Sequence, residues 1–441
     1  MNDTALREMV GNWADLVSPR TGIIRALSRV QRGAEEPSPP FIYQSEVSHF
    51  DFQMARAQDR ASAGKGATEE AAIRGAIGEA IERYCASHID PTATIVSQWL
   101  PISDRAVAPT EFVLYSANQY EQRKVLYHRW DMKDEVTWVA AHELPSDRLV
   151  YVPASLVYLQ FPQRRVEDVF TPATSNGLAA GPTLDYAILH GLYECMERDA
   201  FLVTWMARLP APEILFDESS SLANSIRAHY KRFGCDLRVF QMCTDLEIHV
   251  MMAVALDETG RGPAIVVGLG CHASPEHALT RAMLEICQVH PGEARRYRER
   301  LPGERLKRPE DIKGLEDHSA WASMPEQLGE FSFLIENRRT KRLENLPDYS
   351  TGNTQGDLEH CVGTLRRAGS RVFYVDLTTS DVTGYGIRVA RALATGLQPI
   401  HFGWGEERLG GARLFELPHR LGFASATLPE SDLNPCPHPL A

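Results

Sequence analysis

The chain has 441 residues, 44% hydrophobic and 24% charged, enough apolar material for a real core in one large domain or two to three ordinary ones. A formal charge of −12 argues against a nucleic-acid backbone or an anionic membrane as partner, while leaving room for a local basic pocket. The opening "MNDTALREMVGNWADLV" has no basic stretch followed by an apolar one, and no apolar run approaches the roughly 18 residues of a membrane span, so a cytoplasmic protein is expected.

Residues 1–15 read as an N-terminal extension, and "EEPSPP" as a loop. Within "SAGKGAT", Lys65 stands between two glycines without the order of a P-loop; it is either a phosphate contact on a flexible loop or part of an ordinary turn. The first strong helix, "TEEAAIRGAIGEAIE" (68–82), lines one side with Ile73, Ile77, Ile81 and Tyr84. Glu79 and Glu82 fall on the other side, beside Gly75 and Gly78. In "SNGLAAG", Asn176 carries the same two readings as Lys65. The second helix, "TLDYAILHGLYECME" (183–197), has Ile188, Leu189, Leu192 and Met196 as its apolar side, with Glu194 and Arg198 beside Ala187 and Gly191.

Strand patterns follow at "LRVFQM", "HVMMAVAL" and "AIVVGLG", the last two joined as a hairpin by "DETGRGP". The third helix, "SPEHALTRAMLEICQ" (274–288), sets Arg281, Glu285 and Gln288 near Ala278 and Ala282. A charge-rich segment at about 295–345 reads as a surface excursion, and "RVFYVDL" and "PIHFGW" as further strands. Helices and strands without clean βαβ alternation predict an α+β fold. The eight cysteines form no C-x-x-C pair and read as buried small hydrophobes.

The three helical segments are in register. Each opens with an N-capping residue (Thr68, Thr183, Ser274) and an acid two places on. Each carries Glu eleven places after the start and Glu or Gln fourteen places after it. Capping alone does not fix those later positions. A face lined by Gly and Ala is unlike a solvent face, and glycine within a helix costs about 1 kcal/mol relative to alanine, so close approach of another group is expected there. Glu82 and Glu197 are read as lying near helix C-termini, the unfavourable end for an anion. Carboxylates gathered in one cleft call for cations, and Mg²⁺ arrives with substrate phosphates, to which Arg83, Arg198 and Arg281 are suited. The residues thus predict a Mg²⁺–nucleotide site built from a threefold repeat.

"GKGATEEAAIRGAIGEAIERY", "SNGLAAGPTLDYAILHGLYECMERDAF" and "GCHASPEHALTRAMLEICQ" resemble the nucleotide-binding segments of YcaO proteins, over nearly the whole chain. The resemblance implies an enzyme that uses ATP and Mg²⁺ to activate a peptide backbone amide. It implies Glu79, Glu82, Glu194 and Glu197 as magnesium and phosphate carboxylates, Arg198 and Arg281 as phosphate contacts, and Glu285 and Gln288 as completing the nucleotide pocket. Gly75 stands where the family usually has Ser.

The ending "NPCPHPLA", with Pro435, Pro437 and Pro439, resembles the P-x-P-x-P tail of the azoline-forming cyclodehydratases, as do "DLTTSDV", "GLQPIHFG" and "GGARLFELP". This implies a YcaO domain over 16–434 and a catalytic tail over 435–441 whose terminal carboxylate, on Ala441, accepts a proton. The implied partners are a precursor peptide, a separate leader-binding protein resembling ubiquitin-activating enzymes, a flavin-dependent azoline dehydrogenase and a second copy of the chain. Backbone thioamide formation and a non-catalytic nucleotide-binding scaffold are the rival readings.

Overall fold

The computed structural model describes residues 3–31, 33, 40–48, 61–122, 125–162, 165–299 and 306–440. Helix α1 (Asp3–Val10) precedes β1 (Ile24–Arg29), β2 (Phe41–Val47) and β3 (Ala61–Gly66), and β3 leads into α2 (Glu69–Ala86). Next come β4 (Thr94–Ser97), the short α3 (Ala117–Glu121), β5 (Val136–Leu144), β6 (Arg148–Pro153) and β7 (Leu178–Gly181), which leads into α4 (Leu184–Met206). After β8 (Glu213–Leu215) and α5 (Ser221–Arg232), strands β9 (Cys235–Gln241), β10 (His249–Asp257) and β11 (Ile265–His272) run into α6 (Pro275–Glu299). The remainder holds α7 (Leu315–Ala322), α8 (Ser332–Ile335), β12 (Thr340–Arg342), α9 (Thr354–Arg367), β13 (Val372–Asp376), α10 (Ser380–Thr383), β14 (Arg388–Ala394) and α11 (Arg413–Arg420).

The strands form three sheets among the described residues: β1-β2-β3, then β11-β10-β9-β8-β12, then β4-β5-β13-β14-β7 with β6 on the free side of β5. The fold is α+β, as expected. β3, β7 and β11 each end the order of a different sheet, and each is followed by one of the acid-marked helices. The repeat is therefore an edge strand, a capped turn and a helix laid back along its own strand.

Small residues make that return possible. A methyl on Gly64 of β3 would lie 2.1 Å from the Ala72 carbonyl oxygen of α2, and one on Gly268 of β11 would lie 2.5 Å from the Ile286 nitrogen of α6. Gly191 of α4 faces the Gly177 carbonyl oxygen, 2.4 Å from where its Cβ would stand. Close approach thus explains the strand glycines and Gly191. It does not explain Gly78, where a Cβ would meet open space.

Thr68 and Thr183 cap α2 and α4, accepting the N–H of Ala71 and Tyr186. Ile73, Ile77 and Ile81 are fully buried on the predicted side of α2. α4 is buried on nearly every side and runs on to Met206, because Phe201 to Met206 are themselves core residues. Glu197 therefore sits in mid-helix rather than near a C-terminus, while Glu82 lies within a turn of the end of α2.

Other expectations need correction. "PIHFGW" is not a strand but a loop, because its backbone groups are engaged by histidine side chains. Lys65 lies in β3, not on a flexible loop. The first residues pack onto the core: Leu6, Val10, Ala14 and Leu16 are buried, and the Trp13 indole donates to the Tyr385 carbonyl at 3.0 Å. The segment after α6 is only partly a surface excursion, since Trp321, Met324, Phe331 and Leu334 bury their side chains and β12 pairs with β8. Charge dominates its composition, but the few apolar residues decide its packing. Seven cysteines are buried and Cys436 half-buried, with no disulfide among them, as predicted.

A buried ion pair fixes the far half of α4. Asp199, 0% exposed, accepts from Arg413 Nε at 2.8 and 2.9 Å and from the Gln398 backbone at 2.8 Å, and Arg413 also reaches Asp245 at 2.6 Å. Removing one partner strands the other's charge, so Asp199→Ala should lose about 3–5 kcal/mol of stability, measured by denaturant unfolding.

Candidate active site

The three acidic faces converge on one cleft, and each first glutamate is tied to its own strand region. Glu79 accepts the Ala63 N–H at 3.0 Å, and Glu194 accepts the Gly177 N–H at 3.0 Å. Glu285 is hydrogen-bonded to the Leu269 backbone in the equivalent place. The eleventh position thus carries the same strut three times, which holds each carboxylate in one rotamer.

Cations join the repeats. Lys65 Nζ donates to Glu285 Oε2 at 2.7 Å, linking β3 to α6. Arg83 pairs with Glu79 at 2.9 Å. Arg198 lies 3.6 Å from Glu194 and 3.2 Å from Glu197. The contact to Glu197 is off the hydrogen-bond direction, leaving the buried Arg198 Nη1 unmatched. Arg281 points elsewhere, to His190 Nδ1 at 3.0 Å and over the Tyr193 ring at 5.7 Å. His190 in turn stacks on Tyr186 with ring centroids 4.0 Å apart. Gln288 is half-buried on the same face of α6 as Glu285. Asn176 lies in the loop before β7, its Oδ1 buried and unpaired.

The charge balance of the cleft favours a cation. Glu82 has no hydrogen-bond or ion-pair partner among the described residues. Burial, then the charges of Glu79 and Glu194, hold its carboxyl well above the usual carboxylate range. Burial also raises Glu197 to about 7; Glu285 and Glu194 add to the rise, and Arg198 opposes it. Glu285 goes the other way, held below the usual range by Lys65 and Arg198 against its burial.

Among the described residues no three His, Cys, Asp or Glu side chains form a ready-made metal cage. Mg²⁺ keeps several waters and is usually held by a few carboxylates together with substrate phosphates. The unpartnered Glu82, the raised Glu197 and the unmatched Arg198 N–H are therefore a donor and acceptor set that fits a magnesium–triphosphate group. Glu79, Glu82, Glu194 and Glu197 would face the metal; Arg198 and Lys65 would face phosphate oxygens.

The tail is docked beside this cleft. The Asn434 N–H donates to the Met206 carbonyl at 2.6 Å, and the Trp205 indole donates to the Cys436 carbonyl at 2.9 Å. Pro437, His438, Pro439 and Leu440 are buried, whereas Pro435 is exposed. Ala441 lies outside the described residues. His438 packs edge-on against Phe201 of α4 and within electrostatic reach of Arg198.

Two imidazoles clamp this end. His318 Nε2 accepts the Gly403 N–H at 2.9 Å, so its Nδ1 donates to the His438 carbonyl, also at 2.9 Å. His438 Nε2 donates to the His401 carbonyl at 2.8 Å, and its Nδ1 accepts the Leu440 N–H at 3.3 Å. The two rings stack with centroids 3.9 Å apart.

Sequence reasoning missed these histidines and also Arg391, which is 5% exposed on β14 and interacts electrostatically with Glu194 and Glu82. Arg391 lies in the stretch "RVARALA", which carries no motif.

The chain matches the sequence profile of one family, described as "YcaO cyclodehydratase, ATP-ad Mg2+-binding", over residues 63–398. An uncharacterized protein of Methanothermobacter thermautotrophicus is 31% identical over 384 residues, covering 83% of this chain and 91% of that one. Among solved structures, a heterocyclase in complex with substrate and cofactor superposes with a TM-score of 0.82 at 26% identity. That match covers 98% of this chain, which spans 57% of the heterocyclase. YcaO from Methanopyrus kandleri, bound with AMPPCP and Mg²⁺, shares the fold at a TM-score of 0.65 and 21% identity, covering 90% and 92% of the two chains. The chain belongs to the YcaO family, whose profile is described as binding ATP and Mg²⁺.

Proposed function

We propose that the chain is an ATP-dependent cyclodehydratase that converts Cys, Ser or Thr residues of a ribosomal precursor peptide to thiazolines or oxazolines. The observation that carries this reading is the tail. A proline-spaced segment packs His438 against Phe201, accepts the Trp205 indole N–H on the Cys436 carbonyl, and lies within electrostatic reach of Arg198. The likeness to a heterocyclase over 98% of the chain supports the same reading.

In this reaction a side-chain thiol or hydroxyl of the peptide adds to the preceding backbone carbonyl, and the former carbonyl oxygen leaves as phosphate. ATP supplies the phosphoryl group that makes that oxygen a leaving group. Glu79, Glu82, Glu194 and Glu197 would hold the divalent ion, and Arg198 and Lys65 would orient phosphate oxygens and offset the charge developing on them; Arg281, turned toward His190 and Tyr193, would have to swing away from them to join these two. Arg83 pairs with Glu79 at 2.9 Å and offsets its charge. A leader-binding partner, a flavin-dependent dehydrogenase, a second copy of the chain and a cytoplasmic setting belong to the same proposal.

Intact-mass spectrometry of the precursor, incubated with the chain, Mg²⁺–ATP and its leader-binding partner, tests it. Loss of one water per ring with matching ADP release is expected. Exchange of oxygen for sulfur in the presence of sulfide would identify a thioamide-forming enzyme, and neither mass change nor ATP turnover would identify a scaffold.

A further inference from the structure

Behind the carboxylate cleft lies a second cavity of about 60 Å³, room for roughly four waters or one five-atom ion. Its sixteen lining residues include Arg391 and Arg408 and no Asp or Glu. Both arginines are 5% exposed, and neither makes an ion pair within 4 Å among the described residues. Unmatched polar atoms gather here: Arg391 Nε, Arg408 Nε, Thr171 Oγ1, Ser155 Oγ and Asn176 Oδ1 are all buried without a hydrogen-bond partner.

An unpaired buried donor costs the desolvation of its group, and an unpaired buried guanidinium costs more. The carboxylates that reach these arginines electrostatically, Glu82 and Glu194 for Arg391 and Glu406 for Arg408, stand outside the cavity wall. Burial is the main cause of the depression of Arg391 to about 10, and Arg408 adds to it; burial also depresses Arg408. Water would satisfy the hydroxyls but not the charge. A tetrahedral oxyanion supplies both the negative charge and acceptors for guanidinium N–H and hydroxyl donors.

We propose that this cavity is an oxyanion site for inorganic phosphate, distinct from the nucleotide cleft. The two sites share a wall. Arg391 Nη1 donates to the Thr174 carbonyl at 2.8 Å, and the same loop presents the Gly177 N–H to Glu194. Asn176, between them, lines the cavity. A phosphate held there touches the loop that orients a cleft carboxylate. The assignment of the bound ion as the phosphate released in turnover rests on the proposed cyclodehydratase reading; the anion site itself does not.

Calorimetric titration of inorganic phosphate into the chain, saturated beforehand with Mg²⁺ and AMPPCP, tests it. One phosphate per chain should bind although the nucleotide cleft is full, and Arg408→Met should weaken it by about tenfold or more, the worth of a charge-assisted hydrogen bond. Arg408→Lys, which keeps the charge but loses the fork, should fall between. Phosphate binding that AMPPCP abolishes, or that Arg408→Met leaves unchanged, overturns the proposal, as does the absence of binding, which would mean a water-filled cavity. If Arg408→Met does not fold, Thr171→Val, isosteric and lacking the unpaired hydroxyl, is titrated instead, and unchanged affinity again overturns the site. Failure of AMPPCP itself to bind would strike the nucleotide reading alone, because phosphate titration of the ligand-free wild type and Arg408 variants still reads the cavity.

Discussion

Glu197→Gln should abolish Mg²⁺-dependent ATP turnover, with a loss of about 100-fold or more, while leaving the fold intact. The side chain is 12% exposed at the centre of the cleft, 3.2 Å from Arg198, so the amide fits the same space without the charge. In the absence of metal this carboxylate is destabilised as an anion, by burial first and by Glu285 and Glu194 next, against the pull of Arg198. Neutralising it therefore relieves repulsion in the empty protein. The variant should melt at the same temperature as the wild type or slightly higher, yet gain less from added Mg²⁺–AMPPCP, because anything that binds only the folded state stabilises it according to its affinity. ATPase assay and thermal melts with and without the nucleotide check both halves. Full turnover with unchanged nucleotide affinity would remove Glu197 from the metal site.

Deleting residues 435–441 should abolish azoline formation while largely preserving ATP affinity. The proposed nucleotide groups come from β3, α2, α4 and α6, whereas the tail only lies alongside them. The deletion also removes His438 and Leu440 from the core, so some stability is lost with the chemistry. A gentler test uses pH. Burial depresses His318 to about 4 and His438 well below the ordinary imidazole value. Each is neutral in the docked state with one ring nitrogen accepting a backbone N–H, so protonating either breaks its bond to Gly403 or to Leu440. Once released, the imidazoles return toward about 6.5 and bind more protons than the docked state. Docking is therefore fully present above that value and weakens as pH falls through it toward 4. Hydrogen exchange of the C-terminal peptide, corrected for intrinsic rates, should rise between pH 7.5 and 5. A truncated enzyme that dehydrates its peptide at the full rate would reduce the tail to a packing element.

The threefold repeat was legible because its causes are local. A capping threonine, an acid in the first turn and an apolar stripe are read within one helix, and Thr68 and Thr183 cap as their positions required. Equal spacing from cap to glutamate then put the carboxylates at equal depth without reference to any other element. Burial of the cysteines followed in the same way from residue type. What lay beyond the sequence were relations between distant segments. Lys65 meets Glu285 across 220 residues, and that pairing exists only because β3 and β11 are both edge strands whose helices face one cleft. "PIHFGW" has a strand's composition, but its backbone is claimed by His318 and His438, so tertiary hydrogen bonds overrode propensity. Arg391 and Arg408 carry no periodic mark at all. Their burial, and the cavity they face, were decided by how β14 and the following loop close over α4, because unpaired charge acquires meaning only from what surrounds it in space.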